Sequence, residues 1–137
     1  MGWAILDTNV YIGHWERGLY GSELATIRQG SIVRHSAVVL SELWRGARTK
    51  SSQRLVQSLR RLAAVQWEPT ADDWWEAGQI VRKVGDSEGW DVVKRRELQN
   101  DALIALTARR HGAMVVTANK RDFALLEKET DVLIHPL

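Results

Sequence analysis

Two short runs of apolar residues, each ending in a polar residue, constrain the fold of this chain most. Residues 3–7 read WAILD and residues 113–117 read AMVVT. Apolar runs of this length without alternation are typical of strands that are buried on both faces of a sheet. The stretches between them have the spacing of amphipathic helices, so strands and helices alternate along the chain. We therefore predict an α/β fold, a three-layer α/β/α sandwich around a central, mainly parallel sheet.

Capping residues, glycines and prolines set the other predicted boundaries. Strands are predicted at 3–7, 31–35, 64–67, 113–117 and 131–135. Helices are predicted from a cap at Asn9 to about 17, at 22–29, from a cap at Ser36 to 50, at 52–62, from the capping box of Thr70 and Asp73 to about 84, from about 98 to 111 and at 121–128. Residues 85–90 are predicted to form a loop. Because no repeat or linker interrupts residues 1–137, we expect one domain.

The composition excludes several classes of protein. The 137 residues are 45% hydrophobic and 26% charged, which is typical of a globular domain and excludes a disordered or fibrous chain. The sequence has no cysteine, so disulfide scaffolds, thiolate zinc sites and cysteine nucleophiles are excluded. No apolar run is long enough for a membrane span or a signal peptide, and we expect a cytoplasmic protein. The net charge of +2 means that any affinity for a polyanion depends on where the charges lie.

Two acidic residues, Asp7 and Asp122, and one amide, Asn119, lie at or just after the ends of predicted strands. Asp7 ends the first strand, and Asn119 and Asp122 come just after the strand that ends at Thr117. Ligands of parallel sheets bind beyond the carboxyl ends of the strands, so these side chains are expected at the functional edge. The alternative is structural, because Asp and Asn at these places also cap the next helix or hold a turn.

Two further acids lie on predicted helices beside apolar residues. Asp101 shares a helix face with the small residues Ala105 and Ala108, which suits close packing near the interior. Glu42 borders the apolar stripe of its helix. The simpler interpretations are an acid in the first helical turn for Asp101 and an i,i+3 pair with Arg45 for Glu42.

Taken together, the four carboxylates predict a metal site. Two unit charges about 5 Å apart repel by roughly 3 kcal/mol at an effective dielectric constant of 20, so a cluster of acids needs a compensating cation. The available ligands are oxygens, without cysteine or a close pair of histidines. Such a donor set favours Mg²⁺ or Mn²⁺, and carboxylate-bound Mg²⁺ is suited to the hydrolysis of phosphodiesters.

Four sequence blocks resemble those of PIN-domain ribonucleases in order and spacing, and the VapC-type toxins of bacterial toxin–antitoxin pairs are the most similar members. The blocks are residues 5–12 (ILDTNVYI), 40–47 (LSELWRGA), 100–108 (NDALIALTA) and 116–123 (VTANKRDF). The resemblance implies a PIN-like domain over 1–137 and a Mg²⁺- or Mn²⁺-dependent endoribonuclease. It also implies an RNA substrate, a small antitoxin protein as partner and a homodimer.

The resemblance also assigns roles to individual residues. Asp7 and Asp101 match the principal metal ligands of the family, Glu42 matches its helical acid, and Asp122 matches a fourth acid. Many members have an acid at the position of Asn119, so either Asn119 or Asp122 takes the fourth place, and the number of metals stays open. The residues expected to orient water or phosphate are Thr8, Asn9, Thr117 and Asn119.

Two other functions remain alternatives. A PIN-fold module that binds RNA or protein without turnover is compatible with Asn119 in place of an acid. Phosphoryl transfer through an aspartyl-phosphate would use Asp7, but the Asp-x-Asp pattern of such loops is broken by Asn9.

Basic and aromatic residues suggest where RNA and partners bind. Cations near the acidic blocks are expected to track phosphates, and they are Arg45, Arg95, Arg96 and Lys120. Trp74 and Trp75 are neighbours about 100° apart on a predicted helix, so both cannot face one core. One of them is expected at the surface or in an interface, and packing of both against a broad apolar face of the core is the alternative.

Overall fold

A computed structural model describes residues 1–137 as five strands and seven helices. The strands are β1 (Gly2–Leu6), β2 (Ser31–Ser36), β3 (Gln66–Trp67), β4 (Ala113–Thr117) and β5 (Ile134–Pro136). The helices are α1 (Thr8–Arg17), α2 (Gly21–Gly30), α3 (Ala37–Gly46), α4 (Lys50–Leu62), α5 (Ala71–Glu88), α6 (Val92–Arg110) and α7 (Lys120–Thr130).

All strands are parallel and form one sheet in the order β3-β2-β1-β4-β5. In the centre, Ile5 of β1 is in register with Val115 of β4 on one side and with Arg34 of β2 on the other. Successive strands are added on one side of β1 and then on the other, so the connections diverge at the carboxyl ends of β1 and β4. The sheet and the helices that flank it confirm the predicted three-layer α/β/α fold.

The core lies between the central strands and α6. Residues 4–6 of β1 and 115–116 of β4 are fully buried, as is the stretch of α6 from 102 to 108. Helix α6 packs against α5, α7 and β4, so its second half is surrounded by protein on every side. Asp101 immediately precedes this buried stretch, which brings a carboxylate to the border of the core.

The largest correction concerns the region between Val84 and Leu98. The loop predicted at 85–90 is wrong, because α5 continues to Glu88 and α6 begins at Val92. Gly85 is a buried helical residue, and a Cβ there would lie 2.8 Å from Cζ of Arg95, so this glycine permits a close approach of α5 and α6. Gly89, with φ of 67°, ends α5, and the Asp91 carboxylate caps α6 by accepting from Lys94 N at 2.9 Å.

Smaller corrections also follow from capping. Asp7 caps α1 instead of Asn9, since Oδ1 of Asp7 accepts from the backbone N of Thr8 at 2.8 Å. The helix predicted to reach residue 50 ends at Gly46, because Thr49 and Ser52 form a reciprocal capping box that starts α4. Strand β5 begins at 134 rather than 131, because Asp131, with φ of 57°, ends α7.

Other boundaries lie within two residues of the prediction, and β4 and the Thr70–Asp73 capping box are confirmed as predicted. No helix combines the length and the apolar character that crossing a membrane requires.

Candidate active site

Asp7 is fixed at the carboxyl end of β1 by three groups. Its backbone N donates to Val116 O at 2.8 Å, which extends the β1–β4 ladder by one residue. Its carboxylate accepts from the backbone N of Thr8 and from Oγ1 of Thr117, both at 2.8 Å. Burial nevertheless raises the pKa of Asp7 to about 6, because the loss of hydration exceeds the effect of these hydrogen bonds. Asp7 is therefore both a helix cap and a buried acid at the functional edge.

Glu42 of α3 is joined to the same region through Thr8. Oγ1 of Thr8 donates to Oε1 of Glu42 at 2.8 Å, while the backbone N of Thr8 binds Asp7. The i,i+3 pair with Arg45 also exists, with 3.9 Å between Arg45 Nη2 and Glu42 Oε2, but Arg45 is mostly exposed. Thr8 thus bridges two of the predicted site carboxylates, and its negative neighbour Glu42 adds to the upward shift in the pKa of Asp7.

Asp101 differs from the other acids because its carboxylate has no hydrogen-bond partner and no ion pair. It lies in the middle of α6, so the interpretation as a first-turn acid is wrong. Burial raises the pKa of Asp101 to about 9, and the negative charges of Asp7, Glu42 and Asp122 act in the same direction. Because the charges of the other three acids act on Asp101, all four carboxylates lie in one neighbourhood, as predicted from the sequence.

Asp122 is buried and pairs with a cation that belongs to the chain itself. Oδ2 of Asp122 lies 2.5 Å from Nζ of Lys94 and 3.0 Å from Nδ2 of Asn119. Asn119 caps α7, since its Oδ1 accepts from the backbone N of Asp122, and its own N donates to Oγ1 of Thr117. Asn119 and Asp122 are therefore neighbours, and Asn119 holds the carboxylate of Asp122 in place.

An open cleft of about 540 Å³ runs along these side chains. Its lining consists mainly of polar and charged residues from α3, α6 and the start of α7, and includes Glu42, Arg45, Trp90, Val93, Lys94, Arg96, Glu97, Asn100, Asp101, Asn119, Arg121 and Asp122. Three of the four acids line the cleft directly. Asp7, at the end of β1, is not part of the lining, but its negative charge contributes to the raised pKa of Asp101. The position agrees with the rule that ligands bind where the connections of a parallel sheet diverge.

The donor set fits a hard divalent cation, although the side chains do not form a closed cage. No three Asp, Glu or His side chains are arranged to surround a metal ion on their own. Mg²⁺ normally keeps several waters and is held by one or two carboxylates, so a complete cage is not required. Asp101, which has no hydrogen-bond partner, and the neighbouring Asp7 supply two such carboxylates. Asp101 is the carboxylate whose negative charge most needs compensation.

Three of the residues predicted to orient water or phosphate form hydrogen bonds within the site. Thr8 and Thr117 donate to Glu42 and Asp7, and Oδ1 of Asn9 accepts from the backbone N of Ala118 at 3.2 Å. This hydrogen bond ties the start of α1 to the end of β4. The polar groups next to the carboxylates are thus engaged in fixing the geometry of the site.

The four cations predicted to contact RNA separate into two groups. Arg45 and Arg96 line the cleft. Arg95 does not line it, because its side chain packs on Gly85 and donates to Trp90 O at 2.9 Å and to Asp86 Oδ1 at 2.8 Å. Lys120 is exposed at the start of α7 and is not part of the lining. Arg95 therefore joins α5 to α6.

Lys94 is the main cleft residue that the sequence predictions missed, together with Trp90, Asn100 and Arg121. A predicted helix start near Leu98 left Lys94 in a loop, without a defined relation to Asp101. In α6 the two residues are seven positions apart and face the same side of the helix. Asp91, a good N-cap residue three positions before Lys94, was the signal that could have shown the earlier start.

Both tryptophans on α5 are exposed, Trp74 by 50% and Trp75 by 74%. The expectation that one of them lies at the surface is therefore confirmed, and the alternative of packing against a broad core face is wrong. Asp73, which precedes them, is instead the buried member of this helical turn, where it pairs with Arg110 of α6.

The all-parallel sheet and the acidic cleft define an α/β protein with a cluster of carboxylates at the carboxyl edge of its sheet, and comparison with known proteins gives its family. The profile of the PIN domain family matches residues 4–129. This chain belongs to the PIN domain family. No curated protein sequence matches the chain at a significant level.

Several solved structures with a similar fold are complexes named VapBC. The chain is similar to VapBC2 from Rickettsia felis bound to a DNA fragment from its promoter, with 19% identity, a TM-score of 0.70 and 98% of each chain covered. It is also similar to VapBC-1 from nontypeable Haemophilus influenzae, with 20% identity, a TM-score of 0.67, and 98% of this chain and 97% of that chain covered. DNA-bound VapBC from Salmonella typhimurium has 22% identity, a TM-score of 0.65, and coverage of 99% and 98%. At these identities the similarity establishes the fold.

Proposed function

We propose that this protein is a Mg²⁺- or Mn²⁺-dependent endoribonuclease and the toxin of a toxin–antitoxin pair. The observation that carries the proposal is the meeting of Asp7, Glu42, Asp101 and Asp122 from four separate segments, with Asp101 left unpartnered. Membership of the PIN domain family supports a nuclease. The structural similarity to VapBC complexes supports the role as a toxin.

Asp101 and Asp7 are the residues that would hold the divalent cation. The chemistry that such a cation supplies is charge neutralisation of the phosphodiester and activation of water for hydrolysis. Thr117 and the backbone of Thr8 orient Asp7 for this task. The absence of a partner on Asp101 leaves both of its oxygens free to act as ligands.

Glu42 and the basic rim serve the substrate. Thr8 fixes one carboxylate oxygen of Glu42 at the cleft wall, where the other is available to accept a hydrogen bond from the attacking water. Arg45, Arg96 and Arg121 line the same cleft as the acids, and arginines beside an acidic centre are suited to binding the phosphates of an RNA backbone. The acidic centre and the basic rim together suit in-line hydrolysis of a phosphodiester.

Cleavage of a fluorescently labelled single-stranded RNA tests this proposal. We expect cleavage with Mg²⁺ or Mn²⁺ and none after chelation with EDTA. Asp101→Asn is expected to reduce the rate by about 100-fold or more, because contributions of several kcal/mol to the transition state depend on the held cation. Asp72→Asn makes the same chemical change at an exposed position of α5 and should retain the wild-type rate.

Equal cleavage by the wild type and Asp101→Asn would contradict the assignment of the site. Binding of the same RNA without any cleavage would instead favour the alternative of a PIN-fold module that binds RNA or protein without turnover.

The partners that we propose are a small antitoxin protein and a second copy of this chain. The exposed apolar side chains of Ile12 on α1 and Leu55 on α4 line one groove, a surface suited to an apolar segment of an antitoxin. Trp74 and Trp75 on α5 offer a separate apolar surface for a homodimer. Sedimentation velocity of the chain alone, and mixed with its antitoxin, measures both assemblies.

A further inference from the structure

Lys94 extends into the group of carboxylates from the face of α6 that also carries Asp101. Its Nζ lies 2.5 Å from Oδ2 of Asp122 and 3.9 Å from Oε2 of Glu97. The ammonium group also lies 4.9 Å from the ring centroid of Trp90, within the range of a cation–π interaction. An ordinary surface lysine would remain fully hydrated, whereas the Lys94 side chain is only 33% exposed. Three neighbours therefore hold this cation in a fixed position.

The contact with Lys94 changes what Asp122 can do. Oδ2 of Asp122 accepts from both Lys94 and Nδ2 of Asn119, and the side chain is only 5% exposed. A carboxylate in this state is already neutralised and desolvated. Asp101, in contrast, has no ion pair and no hydrogen-bond donor, and the charge of Lys94 acts on it less strongly than the negative charges of the other three acids. The four acids thus divide into a compensated part around Asp122 and an uncompensated part around Asp101.

We propose that Lys94 is the resident counter-charge of Asp122 and limits the site to one divalent cation, held by Asp101 and Asp7. This inference rests on the proposed function, which supplies the divalent cation. A second divalent cation at Asp122 would have to displace the ammonium group or lie close to it, and both cost electrostatic free energy in a partly buried site. One lysine and one divalent cation, with Arg45 at the rim, already balance four ionised carboxylates.

The role of Lys94 is that of a positioning residue, because it acts through Asp122 and Asn119. It keeps the carboxylate of Asp122 turned toward α6, and the same contact secures the first turn of α7. Removing the ammonium group would release a buried carboxylate next to Asp101. Such a pair of free carboxylates is the arrangement that a further divalent cation favours.

Mn²⁺ binding without RNA tests the inference, with the electron paramagnetic resonance signal of free Mn²⁺ as the readout. We expect one Mn²⁺ per wild-type chain and two per chain of Lys94→Met, which removes the charge at similar size. Lys94→Arg retains the charge and should bind one. Lys128→Met makes the same charge change at an exposed residue of α7 outside the cleft and should also bind one. Circular dichroism of each variant verifies that it is folded.

Two Mn²⁺ per wild-type chain, or one per folded chain of Lys94→Met, would overturn the role of Lys94. If the wild type binds two and its RNA cleavage is still lost in Asp101→Asn, the proposed function stands and only this inference fails. If the wild type binds no Mn²⁺, the metal-dependent function and the inference fail together.

Discussion

Arg95 and Arg96 are adjacent in the sequence and were assigned the same role from it, yet they do different things. The guanidinium of Arg95 donates hydrogen bonds to Trp90 O and to the carboxylate of Asp86, whereas Arg96 lines the cleft. The sequence could not separate them, because the assignment depends on where α6 begins. A helix that starts at Val92 turns the two side chains about 100° apart.

Alanine substitutions of these two arginines should therefore have opposite signatures. Arg95→Ala is expected to lower the free energy of unfolding by about 1–2 kcal/mol, since it loses two hydrogen bonds and the packing on Gly85. Arg96→Ala should leave stability within about 0.5 kcal/mol and weaken RNA binding, with the slope of log affinity against log salt reduced by about one. Urea unfolding and salt-dependent RNA binding measure the two effects. A larger loss of RNA affinity in Arg95→Ala than in Arg96→Ala would refute this division.

The helices and strands were predictable where local chemistry decides their limits. The apolar run of β4 and the Thr70–Asp73 capping box were found from the sequence because both signals are local. The break between α5 and α6 was predicted too early because Gly85 resembles the glycines that are typical of helix ends. Its function is to allow Arg95 to approach, and only the packing of two helices reveals this.

Glycines inside helices give a test of such packing. A Cβ at Gly78 of α5 would meet no atom within 4 Å, so Gly78→Ala should stabilise the protein by about 0.5–1 kcal/mol through helix propensity. A Cβ at Gly13 of α1 would lie 2.8 Å from Cε2 of Tyr20, so Gly13→Ala should destabilise it by about 1 kcal/mol or more. Midpoints of urea unfolding measure both changes. The same sign for the two variants would show that packing on α1 is not as described.

In the whole molecule, distant segments come together in a way that the sequence predicts only in part. The alternation of strands and helices predicts a parallel sheet. Because ligands bind at the carboxyl ends of parallel strands, Asp7 and the end of β4 are then expected at one site. That Asp101 and Glu42 join this site was expected from their apolar neighbours and from the resemblance to PIN-domain ribonucleases. The pairing of Lys94 with Asp122 was not predictable, because it depends on the packing of α6 against α7.

The acidic cluster makes the folded protein sensitive to pH. Folded Asp101 and Asp7, with pKa values of about 9 and 6, retain protons that the unfolded chain releases near 3.8. Their contribution to stability is therefore full below pH 3.8 and is lost as the pH rises toward 9. A divalent cation that binds the ionised carboxylates of the folded state reverses this loss.

Thermal and urea unfolding of the wild type and Asp101→Asn at pH 8, with and without Mn²⁺, tests most directly whether these anions share one pocket. Without Mn²⁺ we expect Asp101→Asn to be more stable by at least about 1.4 kcal/mol, the equivalent of one pKa unit. Mn²⁺ should raise the Tm of the wild type and have little effect on the variant. A variant that is no more stable than the wild type, with an equal response to Mn²⁺, would contradict a crowded carboxylate site that a bound cation relieves.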